Sequence, residues 1–124
     1  MAAPRKRVLI VDDDEDLRDV MQDVIMGLGH EALQASNADD AVALASLGDI
    51  DVALIDLGLP LVDGFEVARR LRATERAAST RLVALTGYSD AQSRKTAEEA
   101  GFDDYLVKPV GPDAIVALVS PASA

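Results

Sequence analysis

Five residues of the 124-residue sequence carry side chains that together could handle a phosphoryl group: Asp12, Asp13, Asp56, Thr86 and Lys108. Each closes or directly follows a short apolar run. Val8–Val11 leads into Asp12 and Asp13, Val52–Ile55 into Asp56, Leu82–Leu85 into Thr86, and Tyr105–Val107 into Lys108. Two unit charges 4 Å apart repel by about 4 kcal/mol at an effective dielectric of 20, so three converging carboxylates favour a divalent cation. Oxygen ligands with no His or Cys nearby point to Mg²⁺ or Mn²⁺. Phosphoryl transfer consists mostly of positioning and charge neutralisation, which a threonine hydroxyl and a lysine ammonium can supply. A carboxylate nucleophile that forms an acyl phosphate is an established covalent strategy.

Each residue also has a plainer explanation by itself. Asp14, Glu15 and Asp16 suit the start of a helix, where its dipole and unpaired N–H groups favour acid. Asp56 alone could form a strand-end turn. Lys108 alone could be a surface lysine, and Thr86 an ordinary β-branched strand residue. Their joint occurrence at the ends of four strands favours the chemical reading. His30, between a glycine and a strand, is read as structural.

Positioning these residues requires strands whose carboxyl ends meet. The four apolar runs are short and branched, which suits strands covered on both faces. Glu31–Ala35, which includes Glu31 and Gln34, reads as an edge strand. The segments between them fit helices. Leu17, Val20, Met21, Val24, Ile25 and Leu28 form an apolar stripe, ended by Gly27 and Gly29. Asn37 is suited to cap a second helix through Leu47, with Asp39 and Asp40 in its first turn. A third helix follows Gly64 and turns Val67, Ala68 and Leu71 inward. A fourth, near Asp90 to Ala100, buries mainly alanines and should pack weakly. A fifth starts at Pro112 and runs to about Val119.

Alternating strands and helices predict an α/β fold: a five-stranded parallel sheet of order 2-1-3-4-5 with helices on both faces. In such a sheet, ligands sit beyond the carboxyl ends of the strands where the order reverses. That point lies between strands one and three, where Asp12, Asp13 and Asp56 stand. One domain over residues 1–124, with a core of about 6–119, is expected. The absence of cysteine excludes thiol catalysis and zinc-thiolate sites. The apolar runs are too short for a membrane span or a secretory signal, so a soluble, cytoplasmic protein with no membrane partner is expected. A net charge of −10 disfavours direct binding to nucleic acid.

The sequence strongly resembles the receiver domain of bacterial two-component response regulators. The resemblance rests on Val8-Leu9-Ile10-Val11-Asp12-Asp13 and on Asp56-Leu57-Gly58-Leu59-Pro60-Leu61-Val62-Asp63-Gly64. It continues through Ala84-Leu85-Thr86-Gly87-Tyr88 and Gly101-Phe102-Asp103-Asp104-Tyr105-Leu106-Val107-Lys108-Pro109, in family order and spacing. It implies a flavodoxin-like receiver fold and a phosphorelay switch in which Asp56 accepts phosphate from a histidine kinase or a histidine phosphotransfer protein. Asp12, Asp13, Asp56 and the backbone carbonyl of Gly58 would hold Mg²⁺. Thr86 and Lys108 would bind the phosphoryl oxygens, and the Lys108–Pro109 bond would be cis. Tyr105 matches the family's switch aromatic, with readout on the face of helix four, strand five and helix five. Such a domain catalyses only its own phosphorylation and dephosphorylation. Gly58 and Tyr88 stand two residues beyond Asp56 and Thr86, where the family tunes phosphate lifetime, and they predict slow self-dephosphorylation. The stretch from Thr86-Gly87-Tyr88 to Val107-Lys108-Pro109-Val110 also looks like receivers attached to hybrid sensor kinases, so a stand-alone receiver and a part of such a kinase both stand as expectations.

Two readings from other classes compete. A haloacid-dehalogenase-like phosphatase also places aspartates at a parallel-sheet edge, but needs a cap or a longer core. A flavodoxin-like FMN binder shares the topology, but an acidic loop would repel its phosphate.

Overall fold

A computed structural model of the chain describes residues 5–59, 61–87, 91–108 and 111–119. Strands β1 (Arg7–Val11), β2 (Glu31–Ala35), β3 (Val52–Asp56), β4 (Arg81–Thr86) and β5 (Asp104–Val107) alternate with helices α1 (Glu15–Gly27), α2 (Ala38–Ser46), α3 (Gly64–Ala73), α4 (Ala91–Ala100) and α5 (Pro112–Val119). All strand pairs are parallel, in the order β2-β1-β3-β4-β5, as the alternation predicts.

Side-chain alternation along the strands divides the interior into two layers. Val8, Ile10, Val52, Leu54, Val83 and Leu85 face Met21 and Ile25 of α1 and Ile115 and Leu118 of α5. Leu9, Val11, Ala53, Ile55, Leu82 and Ala84 face α2, α3 and α4, which contribute alanines together with Val67 and Leu71. The central strands are thus apolar on both faces, and their polar residues are pushed to the ends. Each of the first three helices starts on a side-chain cap. The carboxylates of Asp14 and Asp63 and the amide oxygen of Asn37 accept from the N–H groups of Leu17, Glu66 and Asp40. Asp14 therefore has the plainer role foreseen for it.

Three details depart from the sequence reading. On α1 the buried line is Met21 and Ile25; Val20 and Leu28 are 59% and 41% exposed, so the true stripe is narrower. A 3₁₀ turn, Glu75–Ala77, precedes β4. Arg72 also acts as an unforeseen staple. It donates to the carbonyls of Gly101, Ala78 and Thr80 and pairs with Asp103 at 2.7 Å. Gly101, at φ +109, lets this side chain pass, since an added Cβ would sit 2.8 Å from Arg72 Cγ.

Candidate functional site

The strand registers bring the acidic residues together. β1 and β3 are paired through Val11 and Ile55, so the chain carries Asp12 and Asp56 past the sheet at the same level. β3 pairs Asp56 with Leu85, which sets Thr86 one residue further out, and β4 pairs Thr86 with Val107, just before Lys108. Backbone hydrogen bonds continue beyond the strands and stiffen this end of the sheet. Asp12 N–H donates to Ala35 O at 3.1 Å, Leu57 N–H to Leu85 O at 2.9 Å and Lys108 N–H to Thr86 O at 2.7 Å.

Asp12, Asp13 and Asp56 each offer an oxygen within 4.8 Å of the others. Asp12 and Asp56 are buried and Asp13 is exposed, so the cluster opens on Asp13's side. Lys108 Nζ lies 3.0 Å from Asp12 Oδ2 and 3.4 Å from Asp56 Oδ2, a single cation shared between two buried anions. The other oxygens of these two groups are oriented by backbone. Asp12 Oδ1 accepts from Asp14 N–H and Asp56 Oδ1 from Gly58 N–H, both at 3.0 Å. Thr86 closes β4 as a buried polar residue.

Burial raises the Asp12 carboxyl above its ordinary value, and the charge of Asp56 adds to this; the hydrogen bonds from Asp14 and Lys108 oppose it without cancelling it. For Lys108, burial alone would lower the ammonium's pKa. The Asp12 hydrogen bond and the charges of Asp12 and Asp56 outweigh burial, and the net direction is upward. The site is therefore short of positive charge: one lysine, its ammonium form favoured by its acidic neighbours, faces three acids, and burial of Asp12 disfavours its charged form. That donor set, all oxygen and over-rich in carboxylate, fits a hard divalent cation such as Mg²⁺.

The chemistry-bearing residues read from the sequence thus occupy one end of the sheet. Tyr105 stands one strand further out on β5, half-buried against the layer that holds α2, α3 and α4. The Arg94 guanidinium of α4 lies over its ring at 5.1 Å from the centroid, within cation–π range. Pro109 and Tyr88 lie outside the described residues. His30 is buried, and its Nδ1 accepts from Lys6 N–H at 3.0 Å, a structural role as expected. Sequence reasoning missed Arg18, whose Nη1 donates to the carbonyl of Asp12 at 2.8 Å.

The family model for the response regulator receiver domain matches residues 8–120. The chain belongs to that family. As a receiver it is a signal-transduction domain of two-component systems. It is 35% identical to an uncharacterized 14.6 kDa protein of Leptolyngbya boryana, over 90% of this chain and 86% of that protein. It is 36% identical to the DNA-binding dual master transcriptional regulator RpaA of Synechocystis, over 91% of this chain. The receiver spans about half the length of RpaA and of several other transcriptional regulators that it matches. Among solved structures, chemotaxis protein CheY4 of Vibrio cholerae superposes with a TM-score of 0.88 at 25% identity, covering 93% of this chain and 96% of that one. The receiver domain of a sensor histidine kinase from Pseudomonas aeruginosa, with a magnesium ion coordinated in its active-site cleft, superposes with a TM-score of 0.83 at 27% identity, covering 93% and 94%. Among the described residues, no helix is long and apolar enough to cross a membrane.

Proposed function

We propose that this receiver takes a phosphoryl group on Asp56, from a histidine kinase or a histidine phosphotransfer protein, in a Mg²⁺-dependent step of a phosphorelay. The observation that carries this reading is the Asp56 carboxylate, with one oxygen on Gly58 N–H and the other facing Lys108, inside a cluster completed by Asp12 and Asp13. One Asp56 oxygen attacks phosphorus, the bond to the donor's imidazole nitrogen breaks, and that nitrogen leaves with the electron pair. Asp12, Asp13, Asp56 and the Gly58 carbonyl would hold Mg²⁺ (or Mn²⁺). When bound, the cation supplies positive charge that offsets the phosphoryl oxygens. Lys108 pairs with a second phosphoryl oxygen, and the Thr86 hydroxyl donates to a third. As Thr86 is drawn toward the phosphate, Tyr105 turns inward and the face of α4, β5 and α5 changes. The likeness to a magnesium-holding receiver supports the choice of metal.

Intact mass after incubation with acetyl phosphate tests this. A gain of about 80 Da, one phosphoryl group on an acyl phosphate, is expected with Mg²⁺, and neither in EDTA nor in Asp56→Asn. An adduct that survives in Asp56→Asn would move the acceptor elsewhere, and steady release of phosphate without an adduct would favour the phosphatase reading.

Slow loss of that phosphate is also expected. A Cβ at Gly58 would stand 3.6 Å from Asp56 Oδ1, so this is the position from which a side chain could aim water at the acyl phosphate, and glycine offers none. The phosphorylated half-life should be minutes or longer, and Gly58→Asn should shorten it roughly tenfold by supplying a water-orienting group. A wild-type half-life of seconds, followed by the same mass measurement, would defeat this expectation.

A further inference from the structure

The exposed Asp13 carboxylate has to reach the site, yet among the described residues nothing donates a hydrogen bond to it. Its direction is left to the backbone that carries it. The peptide group just before Asp13 is the one whose oxygen, Asp12 O, accepts from Arg18 Nη1 at 2.8 Å. Fixing that oxygen fixes the plane of the peptide, and with it the Asp13 Cα and the direction of its N–Cα bond, which narrows the directions open to the Asp13 side chain.

Arg18 is itself anchored. Its Nε donates to Gln34 Oε1 at 2.9 Å, and its position one turn into α1 is set by the bond from its N–H to Asp14 O. Gln34 lies on β2, where it supplied the polar character that marked the strand as an edge. Its amide nitrogen donates to Gln22 Oε1 at 2.7 Å and to Asp19 Oδ1 at 3.2 Å, which orients the Oε1 toward Arg18. A chain of directed bonds thus runs from α1 through the edge strand to the peptide between the two acids. A guanidinium in this place also brings positive charge toward a cation site, so any benefit must come from geometry rather than attraction.

We infer that Arg18, oriented by Gln34, is a positioning residue that aims Asp13 at the divalent-cation site. The inference rests on the proposed Mg²⁺ dependence and adds a second layer of support to it, of the kind that tunes metal affinity elsewhere. Two substitutions separate geometry from charge. Arg18→Lys keeps the charge but loses the two-pronged grip, and Gln34→Ala keeps Arg18 and removes its anchor.

Calorimetric titration with MgCl₂ alone, beside thermal unfolding in EDTA, is the test. Arg18→Lys should weaken Mg²⁺ binding roughly tenfold. Gln34→Ala should weaken it less, and the double variant should bind no worse than Arg18→Lys, because the two residues act in series. Unchanged Mg²⁺ affinity in both single variants, with or without a lower unfolding temperature, would reduce the network to a structural tie and overturn the inference. Tighter binding in either would overturn it too, since charge relief would then outweigh aim. A wild-type protein that binds no Mg²⁺ at all would instead overturn the proposed function on which the inference rests.

Discussion

Lys108→Ala is expected to slow phosphoryl transfer to Asp56 by about 10²- to 10³-fold, the loss typical when one preorganised charge is removed from a site of developing negative charge. Lys108 is the ammonium that contacts both Asp12 and Asp56. Without it the phosphoryl oxygens would meet three carboxylates with one fewer positive group to offset them. The same change should also cost stability. Removing one partner of a fully buried ion pair costs about 3–5 kcal/mol, because the other charge is stranded. Here the Asp12 side chain is almost fully buried, but that of Lys108 is 27% exposed. Water therefore screens part of the interaction, and a smaller cost of about 2 kcal/mol is expected. Initial rates of label incorporation from acetyl phosphate, beside urea unfolding in EDTA, separate the two effects. A rate within a few-fold of wild type would show that the ammonium is not used in transfer.

Much of this was legible because a parallel sheet converts sequence position into spatial position with little freedom. Once Val8–Val11 and Val52–Ile55 are read as neighbouring buried strands, Asp12 and Asp56 have nowhere to go except the same edge. Asn37 announced its helix for a similarly local reason, since a cap bonds three residues ahead. What could not be read are contacts made by long side chains between elements. Arg72 reaches Gly101 across 29 residues, and Arg18 reaches an edge strand and a backbone oxygen at once. Neither interaction leaves a periodicity, and a charged residue on a helix looks the same whether it is solvated or anchored. The exposure of Val20 and Leu28 has the opposite cause: an apolar residue near the buried stripe satisfies the pattern even when no neighbour covers it.

The glycine that opens α3 shows how a fold requirement and a site requirement can fall on one residue. Gly64 was read as the residue ahead of the third helix and as part of the stretch that runs on from Asp56. The reason a glycine is needed lies in the packing. A Cβ at this position would come within 3.0 Å of three backbone atoms, the carbonyl carbon and oxygen of Asp56 and the Cα of Leu57, and backbone cannot step aside as a side-chain tip can. The approach is held by the bond from Gly64 N–H to Leu57 O, which folds the loop after Asp56 back onto the strand end. Gly64→Ala should therefore force the loop outward, at a cost of about 3 kcal/mol or more, toward the upper end for overpacking because no rotamer change relieves it. Any protein that still folds should carry Asp56 displaced from Gly58 N–H and Lys108, so phosphorylation should fall further than stability alone explains. Urea unfolding and phosphorylation rates on the folded fraction, compared with the same substitution at Gly27, where a Cβ would meet no atom within 4 Å, provide the control. Equal, small effects at both positions would mean that the Asp56 strand end has room that the close backbone approach denies.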